Sequence, residues 1–195
     1  MTTTQRVSDG TFKRLTSGPF QFFIAIGACF ALVGVIWLMT PRANKEMLPH
    51  ADVTEGATAL RLSAPYVSYV PQGLPALWRP TSSRLTGTQG KGPVSWHVGY
   101  VTPKDQYAAL EQSNERPASA FVTRMTNVDP ANVRNLAGTV QVAGATWNEY
   151  YRKDKHQYSL VRQLPDVTLV ATGTASYEEL AVLAGSLQPQ QGHKA

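Results

Sequence analysis

Any chemistry in this chain has to come from four histidines, a scatter of carboxylates and one band of aromatic and basic residues. The histidines are His50, His97, His156 and His193, and none has a second ligand at i+4. Only His97 falls inside a predicted strand, and an imidazole needs a partner to be tuned as a base or ligand. Asp105, Glu111, Glu149 and Asp166 could supply one, but their spacing shows no pairing. Gly87 to Gly92 lacks the Gly-x-x-x-x-Gly-Lys-Ser/Thr spacing of a phosphate loop, and Pro93 follows where a helix should begin, so a hairpin loop is expected. There is no Gly-x-Ser-x-Gly elbow. The single cysteine, Cys29, allows neither an intramolecular disulfide nor a Cys-containing zinc or redox motif. No nucleophile–base pair or metal set can be assembled on paper. The expectation is a non-catalytic protein without a cofactor.

The aromatic band is more suggestive. Trp147, Tyr150, Tyr151 and Tyr158 bracket Arg152, Lys153 and Lys155 around one turn. Tyr and Arg are enriched where proteins meet partners, whereas Trp147 and Tyr151 share a strand face and suit a core. Trp78, Arg79, His97, Tyr150, Arg152, Lys153 and Lys155 make up the candidate partner or ligand surface. The formal charge of +5 is spread along the chain, not gathered on one helix, so no nucleic-acid partner is expected.

These residues are positioned by what precedes them. From Phe20 to Thr40 no residue is charged, and only Gln21 and Thr40 are polar. About 20 apolar residues in a helix cross a bilayer core of roughly 30 Å. A cleaved signal peptide has a shorter apolar region, and Pro41 follows here in place of small residues. Ile26-Gly-Ala-Cys29 has the look of a lipobox, but ten further apolar residues follow the cysteine. An uncleaved anchor is therefore expected. Arg6, Lys13 and Arg14 before it against Arg42 and Lys45 after it favour a cytoplasmic N-terminus, with the larger domain outside the cytoplasmic membrane. Gly27, Ala31 and Gly34 lie on one face and suggest a seam for a neighbouring membrane helix.

The expected layout is a tail at 1–19, a span at 20–40, a stalk at 41–53, an α+β domain at 54–188 and a tail at 189–195. Thr54-Glu55 starts a short helix that ends before Pro65. Runs at 66–70, 78–85, 94–102 and 107–112 read as strands, with Pro80 placing the second at an edge or bulge. Trp96, Val98 and Tyr100 alternate with Ser95, His97 and Gly99. Pro117 opens a helix carrying Phe121, Val122 and Met125 on one face, and a meander at 139–172 follows. Ser176-Tyr-Glu-Glu179 is a capping box for a last helix with Leu180, Leu183, Ala184 and Leu187, stopped by Pro189. The fold class is thus α+β, an antiparallel sheet of six or seven strands covered by helices on both faces.

One span, then Val70-Pro-Gln-Gly-Leu-Pro-Ala-Leu-Trp-Arg-Pro-Thr-Ser-Ser, Trp96-His-Val-Gly-Tyr-Val-Thr-Pro, Tyr107-Ala-Ala-Leu-Glu-Gln-Ser and Gly144-x-x-Trp147 resembles the actinobacterial domain of unknown function 4245 family. That resemblance implies a single-span envelope protein and brings no activity with it. The end of the chain is more loosely similar to the PsbP/Mog1-like sandwich, some members of which are lipoproteins or accessory subunits of membrane assemblies. The expectation is an accessory or scaffold subunit of an envelope membrane complex, respiratory or wall-building. The alternative is a binding module for a lipid, glycan or small envelope ligand, seated in a cleft beside Trp78, Trp96 and Trp147.

Overall fold

The computed structural model describes residues 19–39, 52–90, 92–132 and 135–190; within 19–39 it describes the side chains of Phe23 and positions 26–36. The chain divides into two compact units, Met1–Met47 and Leu48–Ala195. The first holds helix α1 (Pro19–Met39), which has no charged residue in its first or last turn. Proline is tolerated at the start of a helix because the N–H it lacks would have no intrahelical partner there. Phe30, Leu32, Val33, Val35 and Ile36 are exposed on α1. Among the described residues no helix is long and apolar enough to cross a membrane. Of the expected tail at 1–19 only Pro19 is described, and it opens α1; the rest of the tail and most of the expected stalk lie outside the described residues.

The second unit runs α2 (Val53–Ser63), β1 (Ser68–Pro71), β2 (Arg79–Thr86), β3 (Ser95–Val101), β4 (Tyr107–Ser113), α3 (Ala118–Thr126), β5 (Leu136–Val142), β6 (Ala145–Arg152), β7 (Gln157–Gln163), β8 (Thr168–Gly173), α4 (Tyr177–Gly185) and β9 (Leu187–Gln190). Seven strands form one antiparallel sheet in the order β2-β3-β4-β8-β7-β6-β5, while β1 and β9 pair separately. Period-2 alternation divides the apolar residues of the large sheet between two cores. Trp96, Val98, Leu110, Trp147, Leu160, Leu169 and Ala171 face Ala57 and Leu60 of α2 and Leu180, Leu183 and Ala184 of α4. On the opposite face Tyr150, Val161 and Val170 meet Phe121 and Val122 of α3. Helices thus cover both faces, as expected, and α2 shares the α4 side.

Two close approaches fix this packing. Asp52 caps α2, its carboxylate accepting from the Thr54 and Glu55 N–H groups at 2.8 and 3.1 Å. A Cβ on Gly56 would come within 2.2 Å of Ser83 Oγ, so only glycine lets α2 lie this close to β2. Gln112 ties the small sheet to the large one. Its buried amide donates to Tyr69 O at 2.6 Å and accepts from Tyr69 N at 3.0 Å, standing in for a strand partner of β1.

The structure corrects three boundaries. The helix at 53–63 is capped by Asp52, not Thr54, which moves the expected stalk end back. The last helix ends at Gly185, so Leu187 and Pro189 belong to β9, paired with Pro71 and Tyr69 of β1; the domain runs on to Gln190. Pro189 is accommodated because each strand of that short ribbon has a free edge. Ser176 is the N-cap of α4 as expected, but its hydroxyl makes no capping bond, so the capping box is not closed.

Candidate functional site

Three adjacent strands carry a polar row on the face turned away from Trp96. In β2, β3 and β4 the register sets Arg84 beside His97 and His97 beside Glu111, with Ser82 opposite Gly99. His97 Nδ1 lies 2.5 Å from Glu111 Oε1, and His97 Nε2 lies 2.9 Å from Ser82 Oγ. A carboxylate only accepts, so Nδ1 donates to Glu111, and in the neutral ring Nε2 is left to accept the Ser82 proton. The Tyr107 hydroxyl stands 3.5 Å from the same Nε2. Gly99 forms the floor: a Cβ there would be 2.6 Å from Ser82 Oγ and 2.9 Å from Tyr107 Oη. The cluster exists because this position has no side chain. Desolvation, and then the Glu111 charge, holds the Tyr107 phenol above its usual range, while Ser82 and Arg84 pull it back.

The imidazole and carboxylate are part-buried, with side chains 26% and 17% exposed. Next to them is a cavity of about 200 Å³ lined by Arg84, His97, Glu111, Phe121, Arg124 and Met125. Arg124 is held in place by Glu115, which accepts from both terminal guanidinium nitrogens, one at 2.9 Å. That pairing lowers the Glu115 carboxyl below its ordinary range. Two wider depressions, of about 470 and 310 Å³, lie along α2 and open to solvent. Among the described residues no group of three or more His, Cys, Asp or Glu is placed to hold a metal ion.

The family model for a protein of unknown function, DUF4245, matches residues 14–187. The chain belongs to the DUF4245 family. No curated protein and no solved structure matches it, and likeness to the PsbP/Mog1-like sandwich is not shown.

In this DUF4245 chain the residues proposed from sequence as one partner surface are not one surface. Trp78 and Tyr150 are buried, on opposite faces of the sheet, at 7% and 5% exposure. Trp78 packs edge-on against Tyr100, with ring centroids 6.1 Å apart. Trp96 and Trp147 are also interior, and Trp96 borders the cavity beside His97. Arg79 pairs with Asp105 at 3.1 Å. Arg152 chelates Asp154 and donates to Asn127 O at 2.7 Å, while Lys155 donates to Asn127 Oδ1 at 2.9 Å. Both cations therefore serve the C-terminus of α3, where carbonyls and the helix dipole favour positive charge. Lys153 is exposed. His97 on β3 and Arg152 on β6 are four strands apart, about 19 Å at the usual strand spacing.

On α1 the stripe is open. Gly27 and Ala31 are exposed and Gly34 half-buried, and among the described residues nothing lies within 4 Å of a Cβ built on either glycine. Sequence reasoning singled out His97 and, separately, Glu111, but missed Ser82, Tyr107 and Gly99. Only the strand register joins them.

Proposed function

We propose that this protein is held in the cytoplasmic membrane by a single span, α1, with its N-terminus inside and the α+β domain outside. We propose further that it serves there as an accessory or scaffold subunit of an envelope membrane complex. The observation that carries this reading is the uncharged helix Pro19–Met39, in which, among the described residues, nothing lies within 4 Å of a Cβ built on Gly27 or Gly34. Such stripes let a second helix approach closely in a bilayer. The preference of Lys and Arg for the N-terminal flank supports the orientation. The ligand-binding alternative has less support. The tryptophans proposed to line its cleft are core residues, and the cavity beside His97 falls below the roughly 300 Å³ at which small-molecule pockets begin. The two larger depressions along α2 are open to solvent and lined by none of those tryptophans.

Purification of the full chain in mild detergent, followed by mass spectrometry of what accompanies it, is the test. A stoichiometric membrane partner is the expected result. Recovery of the protein alone, as a monomer, counts against the subunit reading.

A further inference from the structure

The polar row on β2–β4 goes beyond a scaffold's needs. Scaffolding requires no imidazole aimed at a hydroxyl, yet here Glu111, His97 and Ser82 stand in line at 2.5 and 2.9 Å. We propose that Ser82 is a nucleophile for small carboxylic esters, with His97 as its base, Glu111 orienting the imidazole and Tyr107 with Arg84 stabilising the oxyanion. The roles follow from geometry. A base must hydrogen-bond both the nucleophile and an orienting group, and donors must converge where the oxyanion forms. The Tyr107 hydroxyl hangs over Gly99 beside Ser82 Oγ. Arg84, two residues along β2 on the same face, is the cross-strand neighbour of His97. The missing side chain at Gly99 gives the two hydroxyls their room.

In acylation, Ser82 Oγ bonds to the ester carbonyl carbon as His97 Nε2 takes its proton. The carbonyl electron pair moves to the oxygen facing Tyr107 and Arg84. Collapse of the tetrahedral intermediate breaks the bond to the leaving alcohol, which takes the proton from Nε2. Water then attacks the acyl-serine with Nε2 again accepting the proton, and a carboxylic acid leaves as the proton returns to Oγ. Nothing but ester and water is consumed. The cavity of about 200 Å³ adjoins the base and Arg84 and is not lined by Ser82 or Tyr107. An ester at Ser82 would reach it past the imidazole, and it has room for one small half and not for a long lipid tail.

The test uses the full chain in detergent and a fluorophosphonate probe, with intact mass and peptide mapping as the readout. The expected result is a single adduct on Ser82 of the folded wild-type protein, and hydrolysis of p-nitrophenyl acetate that an ester of palmitate does not match. His97→Gln should slow labelling by about 10²-fold or more, the usual size of a general-base contribution. Tyr107→Phe and Arg84→Ala should slow turnover by about 10-fold or more while leaving the site of labelling unchanged. Ser83→Ala, one residue along on the opposite face, should label like wild type. Circular dichroism shows whether each variant is folded. Should Ser82→Ala not fold, adduct mapping on the wild-type chain decides alone. No adduct, or an adduct on another hydroxyl, overturns the proposal and leaves the row a structural polar ladder. That result would not touch the subunit reading, which rests on α1.

Discussion

At the scale of single residues, stability and pH response follow from buried polar groups that have only one solution. Gln112 is fully buried, and its amide is the cross-sheet partner of both backbone groups of Tyr69. Gln112→Leu keeps the volume and strands a donor and an acceptor, each costing about 1–3 kcal/mol when left unpaired. Urea unfolding should register a loss of about 2–6 kcal/mol for the two together, and a change under about 0.5 kcal/mol would mean that water takes over the role. The tyrosines predict an alkaline limit. Burial pushes Tyr100 up to about 12, and burial followed by the Glu149 charge pushes Tyr177 up to about 12; burial raises Tyr66 further still. The neutral phenols are thus favoured in the folded state. Their contribution is complete below the unfolded value near 10 and disappears as pH rises through about 12. Phenolate absorbance should show Tyr66, Tyr100 and Tyr177 ionising above the ordinary phenol range and together with loss of structure. A single titration of all the tyrosines at about pH 10 would contradict this.

Elements were legible where one period dominated. Trp96, Val98 and Tyr100 alternate in sequence and are all buried on one face of β3; Phe121 and Val122 read as a helix face and are buried in α3. Pro80 announced an edge strand or a bulge, and β2 has both. What that proline could not convey was parity. The register shift between Pro80 and Ser82 moves the pairing by one residue, and one residue exchanges the two faces of a strand. With the register of Arg79 and Pro80 continued, Ser83 would sit opposite His97; with the bulge, Arg84 does, and Ser82 joins the His97 face. The candidate site therefore hangs on a bulge, and no spacing rule in the sequence contains it. β1 was legible as the run at 66–70, but its partner β9 was hidden, being too short to show a period and carrying Pro189. The basic turn after β6 misled because charge near aromatics suits a partner surface as well as a helix end. Asn127, left-handed at φ 57°, ends α3 and receives Arg152 and Lys155. Asn127→Ala should cost about 1–2 kcal/mol through backbone strain, and Asn127→Gly should lose only the side-chain contacts. Thermal unfolding of the pair would separate the two effects. Arg152→Ala should lower the melting temperature slightly and leave any co-purifying partner in place.

For the whole molecule, the question is whether α1 merely tethers the domain or joins it to something. An apolar helix inserts whatever its fine composition, whereas helix–helix packing in lipid depends on how closely two backbones approach. Among the described residues Gly27 and Gly34 have nothing within 4 Å of a Cβ position, so larger residues there meet no described neighbour. Leucine at both positions keeps the segment favourable for insertion and removes the groove. The double variant Gly27→Leu/Gly34→Leu should therefore reach the membrane at wild-type levels and lose its co-purifying partner, or its self-association if the neighbour is a second copy. Cys29→Leu adds volume two residues along, about 200° around the helix from Gly27, and should leave association intact. Quantitative mass spectrometry of detergent-solubilised membranes reads both outcomes in one experiment. If the double variant and Cys29→Leu retain partner equally, the stripe is ordinary membrane composition and α1 is only an anchor. If both fall out of the membrane, the assumption that α1 inserts as a span fails first, and the subunit reading fails with it.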